Sequence, residues 1–69
     1  MENYDLREIR DILMERGMTH TEAVGLIKEA IKALGTRLAE GDPLDNCYDI
    51  CEEFFNLEPD YLMALIEKI

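Results

Sequence analysis

The sequence predicts an all-α protein, a compact bundle of four or five helices that forms a single domain over residues 1–69. Apolar residues recur at intervals of three and four, capping residues precede these stretches, and the alternation typical of strands is missing. Apolar residues make up 48% of the chain and charged residues 33%, which is globular composition. No apolar run approaches the ~20 residues of a membrane span.

The first two helices are predicted from their caps. Asp5 can cap the first helix while Glu8 reaches back, and Gly17 ends it. Thr19 and Glu22 form a second capping box at the start of the next helix. The expected apolar stripe of the first helix is Leu6, Ile9 and Leu13, with Ile12 and Met14 beside it. That of the second is Ala23 or Val24, Ile27, Ile31, Leu34 and Leu38.

Whether residues 20–40 form one helix or two is open. Gly25 and Gly35 lie inside this stretch, and each costs about 1 kcal/mol relative to alanine in a helix. Gly35 could end one helix and Thr36 could cap another, so we slightly favour two helices. Gly41 closes the region.

The second half predicts two further helices. Asp42 is expected to cap the third, with Pro43 at its first helical position and Asn56 at its end. Its core face is predicted as Leu44, Cys47, Cys51 and Phe54, widened by Tyr48 and Phe55. The last helix opens at Pro59, and its predicted core stripe is Leu62, Leu65, Ile66 and Ile69.

The residues capable of chemistry are too few for a catalytic or metal site. His20 is the only histidine, and its place in the first turn of a helix indicates a surface residue. Cys47 and Cys51 are four apart, which puts them on one helix face in a geometry poorly suited to a disulfide, so we expect reduced core cysteines. We therefore expect a protein that is not an enzyme and binds neither cofactor nor metal. The N-terminus lacks the apolar segment of a signal peptide, and we expect a cytoplasmic location.

Two stretches resemble phage-repressor-type (Cro-like) helix-turn-helix domains. "IRDILMERGMTHTEAV", residues 9–24, resembles the opening of that family, where a first helix ends at a glycine before an apolar residue and a threonine. "DPLDNCYDICEEFFNLEPDYLMAL", residues 42–65, resembles its closing helices. The resemblance implies a repressor-like fold and an origin in phages or mobile elements.

The middle of the chain departs from the family's pattern. The turn glycine and the recognition helix should lie within residues 26–40, where this sequence reads "LIKEAIKALGTRLAE". Lys28, Glu29 and Ala30 occupy the place of the turn, and the polar cluster that reads base edges is missing. The resemblance therefore does not carry DNA binding to this chain.

The net charge of −9 is concentrated in the second half of the chain. Residues 1–37 hold seven acids and six bases, whereas residues 38–69 hold nine acids and one base, Lys68. Such a charge repels nucleic acid. The proposed partner-binding acids are Asp42, Asp45, Asp49, Glu52, Glu53, Glu58 and Asp60. We expect Asp45, Asp49 and Glu52, joined by Asp42 and Glu53, to form one outward stripe on a helix, which continues through Glu58 and Asp60 at the next helix start. We expect these carboxylates to have no cationic neighbours and to be spaced like phosphates.

The leading hypothesis is a non-enzymatic acidic module that binds a basic protein surface. Its sharper form is a nucleic-acid mimic from a phage or mobile element that inhibits or regulates a basic host protein. A solvated acidic face without a partner is the alternative reading of the same carboxylates.

Two further readings stay open. The last helix is apolar over more of its circumference than one neighbour covers, which indicates self-association as a homodimer through Tyr61, Leu62, Met63, Ile66 and Ile69. The other is a dimeric helix-turn-helix DNA-binding transcriptional regulator, with Lys28, Lys32 and Arg37 facing phosphate.

Overall fold

The computed structural model describes residues 5–68 and shows the predicted all-α bundle, with four α-helices and no strand in that range. The helices are α1 (Leu6–Glu15), α2 (His20–Ala39), α3 (Asp49–Phe55) and α4 (Leu62–Ile66). A 3₁₀ turn at Leu44–Asn46 precedes α3, and a second at Pro59–Tyr61 leads into α4. The long α2 is the centre of the bundle, and α1, α3 and α4 all pack against it.

The Asp5 cap of α1 and the capping box of α2 are confirmed, whereas the Glu8 side chain makes no hydrogen bond back to Asp5. The Asp5 carboxylate accepts a 3.0 Å hydrogen bond from the Glu8 amide, which holds the pKa of Asp5 below its usual value. At α2, the Glu22 amide donates to Thr19 Oγ1 at 3.1 Å, and the Thr19 amide donates to the Glu22 carboxylate at 2.9 Å. Gly17, with φ +106°, ends the first helical segment. Local sequence therefore determines where both helices begin.

Residues 20–39 form one helix, so the slight preference for two helices was wrong. Leu34 is fully buried and Leu38 is half-buried, and they lie on either side of Gly35. Burying a leucine side chain gains roughly 1.5–3 kcal/mol, more than the ~1 kcal/mol that a helical glycine costs. The break comes at Gly41, with φ +98°, where the Asp42 amide turns back to the Arg37 carbonyl at 3.0 Å.

The predicted helix from Asp42 to Phe55 was wrong in its first half. Pro43 has ψ 152°, an extended conformation, and only a short 3₁₀ turn follows before α3 begins at Asp49. Asp42 does not cap this turn. Asn56 ends α3 as expected, in the left-handed conformation with φ 54° and ψ 45°.

The core is apolar throughout and includes both cysteines. Its fully or almost fully buried members are Ile9, Leu13, Ala23, Ile27, Ala30, Leu34, Cys47, Ile50, Cys51, Phe55, Tyr61, Leu62, Ala64 and Leu65. Four of these core residues were not in the predicted stripes: Ala30, Ile50, Tyr61 and Ala64. Tyr48 was expected at the core edge but is 40% exposed. Ile69, expected in the core, lies outside the described residues.

Candidate functional site

Five of the seven predicted partner-binding acids are exposed and form no ion pair within residues 5–68. We call this set the acidic surface, and its members are Asp45, Glu52, Glu53, Glu58 and Asp60. Asp45 lies in the first 3₁₀ turn, Glu52 and Glu53 in α3, and Glu58 and Asp60 at the second 3₁₀ turn. Because the second 3₁₀ turn packs against α3, the last four carboxylates belong to neighbouring elements.

Asp42 and Asp49 do not belong to this surface, because both form ion pairs with Arg37. Arg37 lies in the last turn of α2, 2.9 Å from a carboxylate oxygen of Asp49 and 3.6 Å from one of Asp42. It also donates a 2.6 Å hydrogen bond to the Asn46 carbonyl. The expectation that the acids after Arg37 have no cationic neighbour was wrong for these two. The Gly41 turn explains the contact, because it returns the chain to the end of α2.

The single acidic stripe is also corrected. Asp42 and Asp45 precede α3, and only Asp49, Glu52 and Glu53 lie on that helix. The extended Pro43 interrupts the helical spacing on which the resemblance to a row of phosphates depended. The acidic surface is therefore a group of carboxylates from three short elements.

Exposed apolar side chains lie one helical turn from the acids. Tyr48 is 40% exposed, and helical geometry places it on the same side of α3 as Glu52, four residues on. Met63 is 56% exposed and follows Asp60 by three residues. The sequence analysis placed Tyr48 at the core edge and missed its exposure, because it left Ile50 out of the core. With Ile50 beside Cys47 and Cys51, the buried face of α3 turns away from Tyr48.

Two of the residues predicted for self-association are unavailable for it. Tyr61 and Leu62 are buried inside the protomer, at 7% and 0% exposure. Met63 is exposed and Ile66 is half-buried, while Ile69 lies outside the described part of the chain. The apolar circumference of the last helix is thus mostly covered by the chain's own core.

Of the three residues predicted to contact DNA, only two have no ion pair within residues 5–68. Lys28 and Lys32 are exposed on α2, but Arg37 is engaged by Asp42 and Asp49. Asp49 also raises the pKa of Arg37 through its hydrogen bond to the guanidinium. Residues 26–39, where the repressor resemblance places a turn and a recognition helix, are continuous helix.

The two cysteines are free and buried. Burial raises the pKa of the Cys51 thiol to about 11, so this sulfur is protonated at neutral pH. Cys47 lies 3.6 Å from the Pro43 carbonyl, within the range of a weak thiol hydrogen bond.

His20 is exposed in the first turn of α2. Within residues 5–68, no group of histidine, cysteine and acidic side chains is arranged to hold a metal ion.

No protein-family model matches the sequence, and neither a curated protein nor a solved structure is significantly similar to it. No helix in the described part of the chain combines the length and apolar character needed to cross a membrane.

Proposed function

We propose that this chain is a non-enzymatic module that binds a basic surface of another protein through its acidic surface. The observation that carries this proposal is the exposure of Asp45, Glu52, Glu53, Glu58 and Asp60 without an ion pair among the described residues. Two arginines close to these elements are already occupied, because Arg37 binds Asp42 and Asp49 and Arg16 binds the C-terminus of α3.

Electrostatics gives a reason for a basic partner. Unpaired carboxylates on adjacent elements repel one another and destabilise a compact domain. The N-terminus of α3 offsets part of this repulsion for Glu52, which lies in its first turn, since acids are favourable there. Glu53, Glu58 and Asp45 form no ion pair with a described side chain. Lysine and arginine side chains on a partner would offset their repulsion.

The apolar neighbours of these acids support a protein as the partner. Interfaces combine aromatic side chains and methionine with a polar rim. Tyr48 beside Glu52 and Met63 beside Asp60 supply that combination. A bare cation or polyamine would leave both apolar side chains in water.

The specific form of the proposal is a nucleic-acid mimic of phage or mobile-element origin that occupies the nucleic-acid site of a basic host protein. The resemblance of residues 9–24 and 42–65 to repressor-type domains supports that origin. Because the carboxylates do not form one regular row, such a mimic would act through its total charge and its apolar contacts.

The test is capture of partners from the lysate of the source organism by the immobilised protein, followed by affinity measurement with the captured protein. The variant Glu52→Gln/Glu53→Gln removes two charges from the acidic surface. The matched control Glu15→Gln/Glu29→Gln removes two exposed charges from α1 and α2. The control and the test variant therefore have the same net charge.

We expect a basic partner that binds the wild type and the control and dissociates from the Glu52/Glu53 variant, with affinity falling as salt rises. Inhibition of that partner's nucleic-acid binding would establish the mimic. Equal affinity of the two variants, unchanged affinity at moderate salt, or no capture by the wild type at low salt would each refute the proposal.

A further inference from the structure

An apolar groove lies between α1 and α2, with a volume of about 320 Å³. Four side chains form its apolar lining: Leu6, Val24, Ile27 and Ile31. Val24, Ile27 and Ile31 follow one another along α2 at steps of three and four, which places one apolar side chain at each turn of the helix. None of these residues belongs to the acidic surface.

The rim of the groove is basic. It holds four of the seven lysines and arginines of the chain, and no acid among residues 5–68 lines it: Arg7, Arg10, Lys28 and Lys68. Arg7 lies 3.6 Å from Asp5 and Arg10 lies 3.1 Å from Asp11, both exposed pairs of the kind that is weak in water. Lys28 and Lys68 have no ion pair within residues 5–68. A chain with net charge −9 therefore concentrates positive charge around one apolar surface.

We propose that this groove binds a short amphipathic helix of a partner protein that carries carboxylates beside its apolar anchors. Helices that dock in grooves use apolar side chains at positions i, i+3 or i+4, and i+7. The turns of α2 at Val24, Ile27 and Ile31 present contacts at that same interval. This partner site is separate from the one in the proposed function and does not depend on it.

Charge complementarity selects the acidic class of helix. Carboxylates on both flanks of the bound helix would meet Arg7 and Arg10 on α1 and Lys28 on α2. A nucleic acid would place phosphates against the apolar lining, which offers them no donor. A neutral apolar segment would leave Lys28 and Lys68, which have no ion pair within residues 5–68, without a counter-charge.

The probe is a fluorescent synthetic helix with leucines at positions i, i+4 and i+7 and glutamates beside them, compared with the same peptide carrying glutamine for glutamate. Binding is followed by fluorescence anisotropy, and the bound surface is mapped by amide chemical shifts in α1 and α2. Lys28→Glu is the test variant and Lys32→Glu is its matched control. Both lysines are exposed on α2, but only Lys28 lines the groove.

We expect the glutamate peptide to bind and the Lys28→Glu variant to bind it about tenfold more weakly, with Lys32→Glu close to wild type. Shifts should be confined to the groove, and Glu52→Gln/Glu53→Gln should leave peptide affinity unchanged. Equal weakening by the two lysine variants, equal binding of the glutamine peptide, or shifts outside the groove would overturn the proposal. Sedimentation of the free protein as a dimer that the Lys28→Glu variant abolishes would also overturn it, because a second copy would then fill the groove.

Discussion

The guanidinium of Arg37, in the last turn of α2, donates a 2.9 Å hydrogen bond to the carboxylate of Asp49 in the first turn of α3. The same side chain reaches the Asn46 carbonyl and the Asp42 carboxylate. Arg37 thus connects the end of the central helix to the segment that leads into α3.

Replacement of Arg37 by methionine should lower the melting temperature and speed amide exchange in residues 42–48. The segment would lose a donor to its main chain and the cation between Asp42 and Asp49. Because the contacts are partly exposed, the difference from wild type should shrink as salt rises. Lys32→Met, an exposed lysine of the same helix, is the control and should melt close to wild type. An equal fall in melting temperature in the two variants would contradict a stabilising role for the Arg37 contacts.

Arg16 stabilises the other end of α3, where its guanidinium donates to the carbonyls of Phe55 and Asn56. A cation at a helix C-terminus also interacts favourably with the helix dipole. Arg16→Met should therefore lower the free energy of unfolding by about 1–2 kcal/mol in urea titration. Arg7→Met removes an arginine whose side chain is 81% exposed and should cost little. An unchanged free energy of unfolding in Arg16→Met would show that this cap does not stabilise the protein.

Gly35 tests the continuity of α2. A Cβ added at Gly35 meets no atom within 4 Å, and the position is inside a helix, so Gly35→Ala should stabilise the protein by about 1 kcal/mol. Gly17 also has open space, but its φ of +106° strains any other residue. Gly17→Ala should destabilise the protein by at least a similar amount. Loss of stability in Gly35→Ala, measured by urea unfolding, would indicate that the helix breaks there.

The features predicted correctly from the sequence are those determined by near neighbours. The Asp5 cap, the Thr19 and Glu22 box and the stop at Asn56 each depend on residues within a few positions. The α-helical class follows for the same reason, since the spacing of apolar residues is a local property.

The features that were missed depend on contacts distant in sequence. The Arg37 pairing requires the chain to turn at Gly41 and return, and nothing in the spacing of Asp42 and Asp49 indicates that return. Continuity of α2 through Gly35 is set by the burial of Leu34 against other helices. The apolar groove with its basic rim is lined by both Leu6 and Lys68, residues close to opposite ends of the chain. A pattern read along one segment cannot show such a site.

Cys51 should make stability depend on pH in the alkaline range. Burial raises its thiol pKa from 9.0 to about 11, so between these values the unfolded chain loses a proton that the folded chain keeps. The stabilising contribution is complete below pH 9 and is lost as pH rises through about 11. Wild type should therefore lose stability over this window more steeply than Cys51→Ala, as measured by urea unfolding at a series of pH values.

Cys47→Ala is the matched control for this prediction, because it removes the other buried thiol and keeps Cys51. All other side chains are common to wild type and Cys51→Ala, so the difference between the two proteins reports on Cys51. If the stability of Cys51→Ala falls with pH as steeply as that of wild type, the thiol of Cys51 is not shielded from water in the folded protein.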